Sequence, residues 1–327
     1  MRVNAESRRT GTRVIDLLLV SFNSAHLLER LRQSLSDAAL PGLQLRLLAL
    51  DNASSDGSGE VLRATFPCAL FIQNRVNVGF GRANNQLAEH VSGHFVLLLN
   101  TDAFVAPETL AMTVDYMERH PRCGILGVRV VGGDGSPQPS LRSFPTPLTT
   151  FLRRTGLNRF IPLDSARNDL ARDHTRISEC DWVPGCYYLV RRAVLEQIGL
   201  FDPRFFLYFE EVDHCRRARD AGWTVTYLPS TSVVHIGGES AKSVASLTRD
   251  RQVLALQTES ELLYMRKHFG LTGLLWHLLL VFLGDLILAL KDLLKGRGAA
   301  LARSRFGLTQ LTWQLASRTA LGMKPTR

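Results

Sequence analysis

Apolar residues recur along the first 120 positions in short blocks. Each block is followed by a polar turn and then by apolar residues at helical spacing. Val14–Val20 reads as a strand, Ser21–Ser24 as a turn and Ala25–Leu35 as a helix. Leu43–Leu50 is a second buried strand, and the Asn-, Ser- and Gly-rich turn Asp51–Ser58 caps a helix over Gly59–Phe66. Cys68–Ile72 is a third strand, followed by a polar, glycine-containing loop and a helix near Gly81–His90. Phe95–Leu99 is a fourth strand that runs into Asn100-Thr-Asp102, and Pro107 opens a helix over Glu108–Arg119. This alternation predicts an α/β layer with a largely parallel sheet. The polar turns follow strand C-termini, where open α/β sheets bind ligands.

Between Gly132 and about Asp181 the rhythm breaks at Pro137, Pro139, Pro145, Pro147 and Pro162, which mark loops and short strands. Order resumes over Trp182–Arg191, in a helix near Ala193–Ile198, in a helix ending before Gly222, and in two strands, Trp223–Leu228 and Ser232–Ile236. The organisation read from this is a flexible N-terminus over 1–13, an α/β domain over 14–240 and a helical C-terminal region over 241–327. Within that region Leu271–Leu294 is heavily apolar. On a helix, His277, Gly284, Asp285, Lys291, Asp292 and Lys295 share one narrow side, and Arg297, Arg303 and Arg305 follow. The pattern over 271–295 predicts a helix lying in a membrane interface with its cations near lipid phosphates. It is borderline for spanning a bilayer, and a helix packed on the catalytic domain is the remaining reading.

Charge sharpens this picture. Residues 241–327 hold 13 Lys or Arg against 5 Asp or Glu, so nearly all of the chain's net +9 sits there. The cations are interleaved with long apolar runs, which suits an anionic membrane surface better than nucleic acid. The five cysteines are odd in number and show no Cys-x-x-Cys spacing, which argues against a disulfide framework or zinc site and for a reducing compartment. The apolar run Val14–Val20 is short, contains Asp16 and precedes no small-residue cleavage site, so it reads as a strand and not a signal peptide.

The chemistry concentrates in a few places. Phe205-Phe-Leu-Tyr-Phe-Glu-Glu-Val-Asp213 sets Glu210, Glu211 and Asp213 directly after aromatic residues. A partly desolvated carboxylate has a raised pKa and can act as a general base; an ordinary acidic first helical turn is the bland alternative. Asp51 ends a strand, where a carboxylate can meet a base edge and nearby N–H groups can face phosphate. Asp102 ends an apolar strand and is placed to hold a divalent cation jointly with a diphosphate, and His235 could complete that shell if Mn²⁺ is used. Gly79-Phe-Gly-Arg-Ala-Asn84 imitates a dinucleotide fingerprint, but it lacks the third glycine and follows the third strand, not the first.

Val20-Ser-Phe-Asn23, Asp51-Asn-Ala-Ser-Ser-Asp56, Asn77-Val-Gly-Phe80 with Asn84-Asn85, Asn100-Thr-Asp102, Trp182-Val-Pro-Gly185, Glu210-Glu-Val-Asp213 and His235-Ile-Gly-Gly238 occur in one order. That series resembles the inverting family 2 glycosyltransferases, and most the rhamnosyltransferase-like branch of bacterial cell-surface polysaccharide assembly. The resemblance implies a GT-A fold, a Rossmann-like mixed sheet flanked by helices. It implies a nucleotide site at Ser21, Asn23, Asp51, Asn77, Gly79, Phe80, Asn84, Asn100 and Thr101. Asp102 and His235 would hold Mg²⁺ or Mn²⁺, and Trp182, Gly185 and Glu210 would shape the acceptor side. Glu211 would be the base, with Asp213 and, behind it, Glu210 as its rivals. The family usually has Asp where Glu211 stands, and Asn100 replaces a carboxylate of the stricter Asp-x-Asp motif. The donor so implied is a dTDP- or UDP-linked sugar, dTDP-L-rhamnose first. The acceptor would be a glycan or lipid-linked saccharide at the cytoplasmic face of the inner membrane, with the protein peripheral or shallowly inserted. Two rival classes are a glycoside hydrolase, which leaves Asp51 and Asp102 without purpose, and a non-catalytic, membrane-bound nucleotide-binding scaffold.

Overall fold

The computed structural model describes residues 13–39, 42–161, 169, 172–237 and 249–327. The N-terminal twelve residues, the 240/241 boundary and Gly238 of the last motif lie outside them.

The first half follows the sequence rhythm. Strands β1 (Arg13–Ser21), β2 (Leu43–Asp51), β3 (Leu70–Gln73) and β4 (Phe95–Leu99) pair in parallel, with helices α1 (Leu28–Asp37), α2 (Ser58–Thr65) and α3 (Phe80–Ala88) between them. Strand β1 illustrates the physics. Ile15, Leu17 and Leu19 pack on one face with α1, α2 and α4 (Thr109–Arg119), while Leu18 points to the other. Both faces are covered, so the strand reads as a continuous apolar run.

Beyond β4 the sheet stops being parallel. The order is β3-β2-β1-β4-β9-β6-β10-β5, where β9 (Tyr187–Arg191) runs antiparallel to both β4 and β6 (Cys123–Val131). The short β5 (Ala103–Val105) pairs antiparallel with β10 (Thr224–His235), which is parallel to β6. The expectation of a largely parallel sheet therefore holds for one half only; the fold is a mixed α/β sheet flanked by helices. The two strands expected near 223–236 are one strand whose register shifts between Leu228 and Ser232, around Pro229.

The C-terminal region is not a separate body. Helix α8 (Arg249–Leu294) breaks at Gly270, whose φ of 68° no helix accommodates. Before and just after the break, Leu262, Leu263, Tyr264, Met265, Leu274 and Leu278 join the same core as β1, β4 and helix α7 (Glu210–Asp220). The helix over residues 251–294, whose most apolar 18-residue stretch has mean hydropathy 2.2, is long and apolar enough to cross a membrane by length and composition. Of the expected polar side of this helix, His277, Gly284, Asp285 and Asp292 are turned inward, while Lys291 and Lys295 stay exposed. Asp285 is fully buried, pairing with Arg154 of helix α5 (Pro147–Thr155) and accepting from Thr309 Oγ1 at 2.7 Å. Asp292 accepts from Arg305 Nε at 2.7 Å. The opposite side exposes Leu275, Trp276, Leu279, Phe282, Leu290 and Leu293.

Candidate functional site

Two adjoining cavities open at the C-terminal ends of the central strands. One, of about 420 Å³, is lined by Asn77, Gly79, Thr101 and Asp102 among others; the second, of about 510 Å³, is lined by Trp182, Gly185, Glu210 and Glu211 among others. Phe80, Asn100, Leu207, Tyr208 and His235 line both.

The floor of the smaller cavity is a mesh of side-chain-to-backbone bonds between two strand ends. Asn23 N donates to Ser54 Oγ at 2.9 Å, and Ser55 N donates to Asn23 Oδ1 at 2.8 Å. Ser21 Oγ contacts Ser24 Oγ at 2.9 Å. Asp51 is buried, its carboxylate accepting from Ser54 N at 3.0 Å, from Ser54 Oγ at 2.5 Å and from Gln73 Nε2 at 2.6 Å. Asn84 is buried too, donating to the Phe80 carbonyl at 3.0 Å. Ser21, Asn23, Asp51 and Asn84 thus lie behind the lining. The residue after Asp51, also buried, lines the cavity instead: Asn52 Nδ2 donates to Asn77 Oδ1 at 2.9 Å and its Oδ1 accepts from Val78 N at 3.1 Å.

Asp102 and His235 are 133 positions apart, and strand register unites them. His235 pairs with Ala103 across β10 and β5, and Ile236 N donates to the Asp102 carbonyl at 3.1 Å. Gln138 Nε2 donates to the His235 carbonyl at 2.9 Å, which turns Gln138 Oε1 toward His235 Nδ1 at 3.3 Å. With the ring proton on Nδ1, toward that acceptor, the Nε2 lone pair faces Asp102 Oδ1, 3.3 Å away. Two electron-pair donors facing each other suit a shared cation. Among the described residues no cluster of three or more His, Cys, Asp or Glu side chains surrounds a metal position, so substrate oxygens and water would supply the other ligands.

The approach to Glu211 is held under strain. Tyr208 and Phe209 adopt φ of 68° and 67°, left-handed values that cost non-glycine residues on the order of 1–3 kcal/mol each. The loop is clamped from two sides. Phe80 N donates to the Phe206 carbonyl at 2.7 Å, an approach that Gly79 permits because a Cβ there would stand 2.4 Å from the same oxygen. Ser260 Oγ of α8 donates to the Leu207 carbonyl at 2.8 Å. The next residues, Glu210 and Glu211, open α7 inside the larger cavity, each with one buried carboxylate oxygen that lacks a hydrogen-bond partner.

Burial raises the pKa of both. Glu210 is pushed well up, by burial first and by the charge of Glu211 second. For Glu211, burial is offset in part by its backbone hydrogen bonds and by the positive charge of Arg142. Glu211 is therefore the member that ionises first, with Glu210 holding the proton. Asp213 behaves oppositely and lines neither cavity. Burial alone would raise it, but the hydrogen bond from His268 Nε2 at 2.8 Å and the charges of Lys267 and Arg217 hold it at about 2. Its carboxylate ties α7 to α8.

Gly185 leaves room against Glu211 and Phe80, since a Cβ there would lie 3.9 Å from Glu211 Cβ and 4.0 Å from Phe80 Cε1. Trp182 Nε1 donates to the Ser143 carbonyl at 3.0 Å, and Arg142 lies over its ring, 4.3 Å from the centroid. Arg142 and Arg153 both line the larger cavity and share Asp169, at 3.2 and 3.0 Å. Sequence reasoning passed over Arg142, Arg153, Gln138 and Asn52, and over Gln252, Gln257, Glu261 and Arg327 of the C-terminal region. The first three fall where proline breaks periodicity; only the basic character of the tail pointed to the last.

Residues 16–199 match the model of the family described as glycosyl transferase family 2. The N-acetylglucosaminyl-diphospho-decaprenol L-rhamnosyltransferase of Mycobacterium tuberculosis is 31% identical over 237 residues, 68% of this chain and 76% of that one. Rhamnosyltransferase WbbL of Escherichia coli is 26% identical over 179 residues, 51% and 64% of the two chains. Among solved structures, the mannosyltransferase PcManGT of Pyrobaculum calidifontis, in complex with GDP-Man and Mn²⁺, superposes with a TM-score of 0.54 at 14% identity, covering 94% of this chain and 86% of that one.

Proposed function

Because the chain belongs to glycosyl transferase family 2, we propose that it moves L-rhamnose from dTDP-L-rhamnose onto a hydroxyl of a lipid-linked saccharide, with inversion at the anomeric carbon. The observation that carries this reading is the pair of adjoining cavities. One holds Asp102 and His235; the other holds a carboxylate pair of raised pKa; Asn100 and Phe80 stand between.

In the proposed reaction the donor occupies the smaller cavity and the acceptor the larger. Glu211 accepts the proton of the acceptor hydroxyl as that oxygen bonds to the anomeric carbon from the face opposite the diphosphate. The bond from that carbon to the diphosphate oxygen breaks, and the nucleoside diphosphate leaves with the electron pair. Asp102 and His235 would hold a divalent cation, Mg²⁺ or Mn²⁺, which supplies charge neutralisation on the departing diphosphate. Glu210, protonated, keeps the pair from carrying two charges. A hydrolase would leave the smaller cavity unused, and a scaffold would need neither the strained loop nor the unpartnered carboxylate oxygens.

The rhamnose donor and lipid-linked acceptor are supported by the relatives, two of which are rhamnosyltransferases and one of which names a decaprenol diphosphate carrier. Arg142 and Arg153 give the larger cavity cations suited to such a diphosphate. The outward apolar side of α8 fits the cytoplasmic face of a membrane. Soluble surfaces rarely expose so many large apolar residues together, and Lys295, Arg297 and Arg303 follow at its end.

The test is thermal stabilisation by dTDP-, UDP- and GDP-sugars with and without Mn²⁺, followed by transfer with and without chelator. Stabilisation by a dTDP-sugar that grows with Mn²⁺ is expected. Chelator-insensitive transfer would remove the metal, and stabilisation by GDP-sugars alone would remove the donor assignment.

A further inference from the structure

One wall of the smaller cavity comes from the C-terminal region, beyond every motif described above. Gln252 and Leu256 of α8 line it, and so does Arg327. Gln252 Oε1 is buried without a hydrogen-bond partner. The segment that delivers Arg327 is firmly seated. Gly322, at φ 70°, lies flush on α8, where a Cβ would stand 2.6 Å from the Leu262 carbonyl. Thr326 N and Oγ1 donate to the two oxygens of the buried Glu259 carboxylate at 2.7 and 2.8 Å. Arg82 Nη2 donates to the Arg327 carbonyl at 3.2 Å.

The Arg327 guanidinium is held more loosely than the backbone that carries it. Its nearest carboxylate oxygen, Glu259 Oε2, is 3.4 Å away and already accepts from Thr326, and the Phe206 ring lies 5.3 Å from the guanidinium carbon. The side chain remains 42% exposed. A planar, permanently charged fork is thus positioned on the lining of a cavity whose other charged member is the anionic Asp102. A nucleoside diphosphate brings further negative charge to the same space, and a guanidinium there offsets it and can bind two phosphate oxygens at once.

We propose that Arg327, anchored through Thr326 and Glu259, is a donor-binding residue that engages the diphosphate of the nucleotide sugar, with Gln252 Oε1 accepting from a donor hydroxyl. The inference rests on the smaller cavity being the donor site. It makes the C-terminal segment part of the substrate-binding surface as well as part of the core.

The experiment is calorimetric titration of the full chain, wild type, Arg327→Ala, Arg327→Lys and Glu259→Gln, with dTDP, UDP and the corresponding nucleosides in the presence of Mn²⁺. Arg327→Ala is expected to weaken nucleoside diphosphate binding by about tenfold or more, as expected for a lost charged hydrogen bond. The same variant should leave nucleoside binding unchanged. Arg327→Lys recovers part of the loss, and in transfer assays the change falls on the donor KM and not on kcat. Glu259→Gln, which frees the segment, weakens binding in the same direction. A wild type that binds dTDP or UDP while Arg327→Ala binds it equally well, or more tightly, overturns the inference and leaves the donor cavity standing. A wild type that binds neither diphosphate overturns both. Arg327 is exposed enough that its removal leaves the fold intact, so the result does not depend on Glu259→Gln folding.

Discussion

Replacing Glu211 by glutamine tests the proposed chemistry with the least disturbance. The two side chains have the same shape, and one Glu211 carboxylate oxygen has no hydrogen-bond partner to lose. The substitution also removes the ionisable member of a carboxyl pair whose burial already disfavours ionisation. Stability should therefore hold or rise slightly at neutral pH. The sign follows from linkage: a carboxylate whose pKa is raised on folding contributes most below its unfolded value, and that contribution is lost as pH rises. A general base contributes on the order of 10²- to 10⁴-fold, about 3–5 kcal/mol of barrier, so kcat should fall by that factor. Glu211 lines the larger cavity and not the smaller, so the affinity for dTDP should stay within about twofold, far less than a lost charged hydrogen bond would cost. The assay is dTDP release from dTDP-L-rhamnose in the presence of acceptor, paired with calorimetric titration of the donor. A kcat within threefold of wild type, or a parallel loss of donor affinity, would refute the assignment.

Three further outcomes follow from the same geometry. The acid limb of kcat against pH should lie above the ordinary glutamate range, because burial raises Glu211, and Arg142→Gln should move it higher still by removing the charge that opposes burial; an unmoved limb would dissociate Arg142 from the base. Asp213→Asn should cost about 3–5 kcal/mol by stranding buried cationic partners, lowering Tm by roughly 10 °C. The deficit should narrow as acid falls through pH 4 toward 2, where wild-type Asp213 itself protonates, and a stable but inactive variant would instead make Asp213 the base. Gly185→Leu should fill the space between Glu211 and Phe80, raising the acceptor KM while donor binding is unchanged; a donor-side defect would exchange the roles of the two cavities.

The parallel half of the fold was legible because buried strands and amphipathic helices alternate there with turn chemistry that has few other readings. The antiparallel half was not. The tripeptide-long β5 has no periodicity to detect, and the pairing that sets His235 beside Asp102 is a matter of register between distant segments. The motifs found most of the cavity lining but could not separate lining from support. Asp51 and Asn52 are neighbours with equally polar surroundings in sequence, yet strand alternation sends one into hydrogen bonds with Ser54 and Gln73 and the other to the cavity. Asp213 stood in sequence as a rival to Glu211, two positions earlier. What divides them is His268 and Lys267, more than fifty residues away. The partners of the long apolar helix were hidden for a related reason: its polar stripe meets Arg154 and Thr309, which no local pattern announces.

The seating of α8 on the sheet limits how far this enzyme can be treated as modular. Leu262, Leu263, Tyr264 and Met265 are as fully enclosed as any strand residue, and each is worth about 1.5–3 kcal/mol of burial. A chimera that swaps the tail at residue 240 would strip those groups from beneath the Phe205–Phe209 loop and leave Asp213 facing Arg217 alone, without Lys267 and His268. Recombination at Gly270 would also be too early, because Leu274 and Leu278 still belong to the core, and no later junction is clean either, because Leu315 and Ala316 return to that core and Arg327 to the smaller cavity.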